Sequence, residues 1–157
     1  MGRPYPTAVD YSGNDTIESQ SPPNRVLVVD DDPDLCQIYC SILTRAGYQV
    51  DAAGDGEAGW AALLGRTSIS EKYALLITDN LMPKLSGIEL VLKIRCMHMS
   101  VPVVLAAGTP PSGKERFLFE AVMEKPFTPQ QLVDLVETVI HDSNESQRRP
   151  LCVEHKS

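Results

Sequence analysis

Arg25-Val26-Leu27-Val28-Val29-Asp30-Asp31-Asp32-Pro33 decides how the chain is read. A short run rich in β-branched residues marks a strand buried on both faces. Three carboxylates end it. Pro33 then suits the first turn of a helix, because its φ is already set and it has no N–H to satisfy. Beyond it Leu35, Ile38, Ile42 and Ala46 recur at helical spacing, and Gly47 supplies the stop. A buried strand that passes directly into a helix is the opening unit of a parallel α/β sheet.

The same alternation continues outward. Tyr48 to Ala52 predicts a second strand, and Gly56 to Leu64 a helix with Trp60, Leu63 and Leu64 apolar. Residues 65–72 form a polar connection to a third buried strand, Tyr73 to Ile77. Ser86 and Glu89 fit a capping box that starts a helix through about Met97. Val101 to Ala106 reads as a fourth strand, Ser112 and Glu115 as a second capping box before a short helix, and Val122 and Met123 as a brief fifth strand. Thr128, Pro129 and Gln131 start a last helix with a buried stripe of Leu132, Val133, Val136, Val139 and Ile140. Strands alternating with helices in this way predict an α/β fold, with a parallel sheet covered on both faces. Residues 1–24 and 141–157 are polar and lack an apolar period. They read as flexible tails around a domain over residues 25–140.

Composition narrows the function. The chain has 157 residues and a net charge of −7, with no Lys/Arg cluster beyond Arg148 and Arg149, which argues against nucleic-acid binding. No apolar run is long enough to cross a membrane, and the polar start lacks a signal-peptide core, so a cytoplasmic protein is expected. Cys36 and Cys40 share a helix face and could join Cys96 and His98 around a metal, but no C-x-x-C pair exists. Reduced, partly buried thiols are the preferred reading.

In a parallel α/β sheet the binding crevice lies beyond the carboxyl ends of the strands. Those ends carry Asp30, Asp31 and Asp32 after strand one, Asp79 after strand three, and Lys125 after strand five. Clustered carboxylates repel, so they either hold a proton or recruit a cation. Hard oxygen ligands favour Mg²⁺, which would also neutralise an incoming phosphoryl group, and Lys125 offers a compact positive charge to a phosphoryl oxygen. Singly, each feature is an ordinary turn, cap or loop. The combination is specific.

Val28-Val29-Asp30-Asp31-Asp32-Pro33, Thr78-Asp79-Asn80-Leu81-Met82-Pro83 and Glu124-Lys125-Pro126-Phe127 resemble the three signature segments of response-regulator receivers, and Gly87 fits the family's glycine after the Met-Pro turn. The resemblance covers roughly residues 25–140. It implies a flavodoxin-like, doubly wound sheet of five parallel strands in order 2-1-3-4-5 with five helices. It further implies that Asp79 is the phosphoacceptor and a Mg²⁺ ligand. Asp31 would be a direct ligand, Asp30 would act largely through water, and Leu81 would offer its backbone carbonyl. Lys125 would bind the phosphoryl group, the Lys125–Pro126 bond would be cis, and Asp32 would not be a ligand. A partner histidine kinase or phosphotransfer protein would supply the phosphoryl group. The chain would then be a signalling phosphoacceptor and no enzyme beyond self-catalysed transfer and hydrolysis.

Two positions depart from the pattern. Receivers usually carry Ser or Thr at the end of strand four and an aromatic residue three before the lysine; here these are Ala107 and Val122. Thr109 could replace the missing hydroxyl if strand four continues two residues further, which Gly108 and Pro110 oppose. Pro110, Pro111 and Gly113 also predict a fourth helix that is shortened or displaced. That region often mediates dimers and output in the family, so a homodimer is one expectation. The leading expectation is a single-domain response regulator. The alternative is a degenerate receiver acting as a phosphorylation-independent interaction module. A third possibility is a haloacid-dehalogenase-like phosphatase using the D-x-D spacing of Asp30 and Asp32. It is weakened by Asp34 where a Thr is expected and by Pro33 starting a helix at once.

Overall fold

A computed structural model describes residues 24–66 and 71–148. The elements run β1 (Arg25–Val29), α1 (Pro33–Arg45), β2 (Gln49–Ala53), α2 (Gly56–Leu64), β3 (Leu75–Thr78), α3 (Gly87–Cys96), β4 (Val103–Ala107), a 3-10 helix (Gly113–Leu118), β5 (Ala121–Glu124) and α4 (Pro129–Arg148). The strands form one parallel sheet in the order β2-β1-β3-β4-β5, as the family resemblance implied.

Strand alternation gives the sheet two apolar faces. Val26, Val28, Leu75, Ile77, Val104 and Ala106 pack with α1 and α4. Leu27, Val29, Leu76, Leu105 and Ala107 pack with α2 and α3 on the other face. Because β1, β3 and β4 are covered on both sides, they read as unbroken apolar runs rather than alternating ones. Burying each large aliphatic side chain contributes roughly 1.5–3 kcal/mol. Those two layers are therefore what hold the strand ends in register.

Helix starts follow local chemistry. Asp32 caps α1, its carboxylate accepting from the Asp34 and Leu35 amides. Ser86 and Glu89 form the predicted reciprocal box at α3. Thr128 and Gln131 form a similar pair at α4, with the Gln131 amide donating to Thr128 Oγ1 and the Thr128 amide donating to Gln131 Oε1.

Strand limits shift by one or two residues, with β2 opening at Gln49 rather than Tyr48, β3 at Leu75 rather than Tyr73 and β4 at Val103 rather than Val101, and two larger differences from the sequence reading lie further along the chain. The expected box at Ser112 and Glu115 does not form, since Ser112 makes no capping bond, although the fourth helix is shortened as expected, to a 3-10 helix. Pro110 and Pro111 lead into it, and Gly113 sits at φ 64°. A side-chain clasp secures this connection. Arg95 donates to both Glu120 carboxylate oxygens and to the Val101 carbonyl, while Glu120 accepts from the Val103 amide. The second difference is at the C-terminal side, where α4 runs eight residues past 140, to Arg148. The apolar stripe ends at Ile140, but no Gly or Pro interrupts the backbone before Pro150, so helix propagation continues through polar residues. Residues 1–23 and 149–157 of the expected tails lie outside the described residues.

A polar hub fastens the opposite end of the sheet. Asp51 on β2 accepts from Arg25 at 3.0 Å, Arg66 at 2.9 Å and the Tyr73 hydroxyl at 2.7 Å. Burial pushes its carboxyl up, but the Tyr73 hydroxyl and the Arg25 and Arg66 charges outweigh that and hold it below its ordinary value. A depressed folded-state value means stability that is present above the ordinary aspartate pKa and is lost as pH falls through the folded value. Asp51→Asn is expected to cost about 2 kcal/mol at pH 7. Chemical denaturation should show that deficit shrinking below about pH 4; an equal deficit at both pH values would contradict this.

Candidate functional site

Three strand ends meet at one rim, and each site residue is still held by the ladder it has just left. The Asp30 amide donates to the Ala53 carbonyl at 3.2 Å, the Asp79 amide to Val29 at 2.9 Å, and the Lys125 amide to Ala107 at 2.9 Å. The Lys125–Pro126 peptide is cis.

Asp30 is 2% exposed. Its Oδ1 accepts from the Asp32 amide at 2.9 Å and its Oδ2 from Lys125 Nζ at 3.0 Å. Lys125 Nζ also lies 3.6 Å from Asp79 Oδ1. Asp30, Asp31 and Asp79 each place a carboxylate oxygen within 4.8 Å of the others. Asp30 is buried, Asp79 half-buried and Asp31 exposed, so the cluster opens to solvent on one side.

The electrostatics are unbalanced. Burial raises the Asp79 carboxyl above its ordinary pKa. Lys125 and the Asn80 amide oppose the rise, and the neighbouring charges of Asp30 and Asp31 add to it. Burial alone would lower Lys125, but its hydrogen bond to Asp30 and the charges of Asp30 and Asp79 raise it, so it stays an ammonium. Three carboxylates thus face one ammonium. An all-oxygen donor set with excess negative charge and an open side fits a hard divalent cation that keeps some of its water.

The backbone around Asp79 is set by neighbours. The Asn80 carbonyl accepts from the Gly87 amide at 3.0 Å, and Asn80 Oδ1 accepts from the Ile88 amide at 3.2 Å. A Cβ on Gly87 would stand 2.2 Å from the Asp79 carbonyl oxygen, and one on Gly56 would stand 2.2 Å from that of Leu85. Those glycines let α3 and α2 start directly against the backbone of the loop that carries Asp79. Sequence reasoning identified Gly87 but missed Gly56 and Asn80. The constraint on Gly56 comes from a carbonyl 29 positions away, and no local signal encodes it.

Other sequence expectations resolve as follows. Asp32 uses its carboxylate to cap α1, which takes it out of any D-x-D pairing with Asp30. The Cys36 thiol donates to the Asp30 carbonyl at 3.2 Å, and burial pushes it up to about 11. Cys40 is half-buried and Cys96 exposed, and among the described residues the carboxylate trio is the one group whose donor atoms converge as a metal site would require. β4 ends at Ala107, with Gly108 and Thr109 in a bend and Thr109 exposed. The strand continuation that would align Thr109 with Ala107 does not occur. Ala107 and Val122 both lie on the α2/α3 face of the sheet. Leu81 opens the loop after Asp79 and is 82% exposed.

Known proteins resemble this chain in sequence and fold. The family model for the response regulator receiver domain covers residues 26–137. The response regulator RppA of Synechocystis is 34% identical over 69% of this chain and 47% of its own length. The transcriptional regulatory protein CpxR of Klebsiella pneumoniae is 29% identical over 80% of this chain and 53% of its own length. The chain therefore spans about half the length of these relatives. Among solved structures, the Thermotoga maritima response regulator TrrA in complex with Mg²⁺-BeF superposes with a TM-score of 0.67 at 26% identity, covering 74% of this chain and 98% of that one. A receiver domain from Methanospirillum hungatei gives 0.70 at 22% identity, covering 79% and 98%. By its sequence match over most of its length, and by its strand order, the chain belongs to the response regulator receiver domain family.

Proposed function

We propose that this chain is a Mg²⁺-dependent phosphoacceptor, a cytoplasmic receiver that takes a phosphoryl group onto Asp79 from a histidine kinase or phosphotransfer protein. The observation that carries this reading is the convergence of Asp30, Asp31, Asp79 and Lys125 at one half-open rim. An Asp79 carboxylate oxygen attacks the phosphorus, an O–P bond forms, and the P–N bond to the donor imidazole breaks. Lys125, now bridging Asp30 and Asp79, is placed to transfer one of its hydrogen bonds to a phosphoryl oxygen. Asp31, Asp79 and the Leu81 carbonyl would hold the cation directly, and Asp30 through water. When bound, Mg²⁺ supplies neutralisation of the carboxylates and of the charge on the transferred group. Hydrolysis of the acyl phosphate resets the protein.

Acetyl phosphate tests this reading without a kinase. Incubated with Mg²⁺, the protein is expected to gain the mass of one phosphoryl group, and EDTA should prevent it. A second reading, a phosphorylation-independent interaction module, is favoured by the absence of a hydroxyl at Ala107 and of a ring at Val122. An unchanged mass, under conditions that label a control receiver, would select that second reading.

A further inference from the structure

With Ala107 and Val122 in place of a hydroxyl and a ring, the α2/α3 face of the sheet has no obvious pair of groups to register a change at Asp79. The opposite face does. Phe127, two residues beyond Lys125, stacks on Tyr39 of α1 with ring centroids 5.4 Å apart and planes 27° apart. Tyr39 is 5% exposed and belongs to the core packed between the sheet, α1 and α4. Cys36, one helical turn before it, donates its thiol to the Asp30 carbonyl at 3.2 Å. One face of α1 therefore grips both segments that flank the acceptor: the acidic turn through Cys36, and the lysine loop through the Tyr39–Phe127 stack.

We infer that Tyr39 is a positioning residue: stacked on Phe127, it holds the Lys125 loop against Asp79 and conveys the arrival of the phosphoryl group to α1. This rests on the reading of Asp79 as the acceptor. The short path from ring to charge makes the coupling physical. Lys125 Nζ is bonded to Asp30 and near Asp79, and only Pro126 separates Lys125 from Phe127. When Lys125 turns from Asp30 toward a phosphoryl oxygen, Phe127 moves with it. Close-packed interiors pass such shifts to the next ring rather than absorbing them. The Tyr39 phenol also lies within the field of these groups. Burial raises its pKa, Lys125 opposes that, and Asp30 and Asp79 add to it. Movement of Tyr39 is then read on α1 and on α4, which packs beside it.

Two measurements on the full chain test the inference. In acetyl phosphate labelling, Tyr39→Phe keeps the ring and should label within about twofold of wild type. Tyr39→Leu removes it and should slow labelling about tenfold, in the maximal rate rather than in the acetyl phosphate concentration for half-maximal rate. Leu43→Val, a core substitution on the same helix away from the stack, should label normally, which separates positioning from general loosening. In aromatic and methyl NMR spectra, Mg²⁺ with beryllofluoride should shift the Tyr39 and Phe127 rings more than the Val122 methyls. A folded Tyr39→Leu protein that labels at the wild-type rate would overturn the inference. So would rings that stay still while the Val122 methyls move, and that result needs no variant to fold. If wild type itself neither labels nor responds to beryllofluoride, the acceptor reading falls, and the inference with it.

Discussion

Asp79→Asn is expected to abolish phosphorylation by acetyl phosphate and, in EDTA, to melt at a higher temperature than wild type. The two effects have one cause. The carboxylate at this position is partly buried beside Asp30 and Asp31, and its pKa is raised. A group whose folded value lies above its unfolded value contributes stability only at low pH, and that contribution is lost as pH rises through the folded value. At neutral pH the ionised Asp79 therefore works against the fold, and an uncharged amide of the same shape relieves it. Mg²⁺ should reverse the order, because it stabilises the protein in proportion to its affinity for the intact carboxylate cluster. Intact mass and thermal melts with and without Mg²⁺ check both parts. A label that persists in the Asp79→Asn variant would mean another residue is the acceptor. A variant that melts below wild type in EDTA would contradict the electrostatic account.

Lys125→Met should slow the same reaction by about a hundredfold, the scale seen when one preorganised donor to a developing oxyanion is removed. Methionine keeps most of the length and apolar body of the side chain but removes the charge that sits 3.0 Å from Asp30 and 3.6 Å from Asp79. Stability should suffer as well. Asp30 is nearly inaccessible, and without Lys125 its Oδ2 loses its cation. Breaking a fully buried pair in this way costs about 3–5 kcal/mol. Lys125 is 20% exposed, so water screens part of that loss and the cost here is smaller. Added Mg²⁺ should recover more stability in the variant than in wild type, while the labelling rate stays low. A rate near wild type in saturating Mg²⁺ would remove Lys125 from the chemistry and leave it a structural counter-ion.

The features readable in the sequence were those encoded locally. β1 and β3 declare themselves as apolar runs ended by aspartates, and the caps at Ser86 and Thr128 follow from residues three apart. The acidic turn, Asp79 and Lys125 were found because a parallel sheet carries all its strand ends to one rim. What escaped depends on contacts between distant segments. Gly56 is required by the Leu85 carbonyl, and Asp51 is a hub only because Arg25, Arg66 and Tyr73 converge on it. Tyr39 reads as one more apolar position on α1 until Phe127 is seen against it. The capping box proposed at Ser112 failed for the converse reason. Its residue types were right, but Pro110 and Pro111 stand directly before it and the segment forms a 3-10 turn with no side-chain cap. The last helix outran its apolar stripe because a helix needs no buried face to propagate, only the absence of a break.

The glycines at the starts of α2 and α3 also divide labour within the loop between β3 and α3. Its backbone is pinned from below by Gly56 against Leu85 and Gly87 against Asp79, whereas the Leu81 side chain projects into solvent. The placement of Asp79 is thus written in main chain, and surface character in side chains that do not support it. A substitution at Leu81 therefore changes the surface beside Asp79 while leaving the backbone that carries Asp79 where it is.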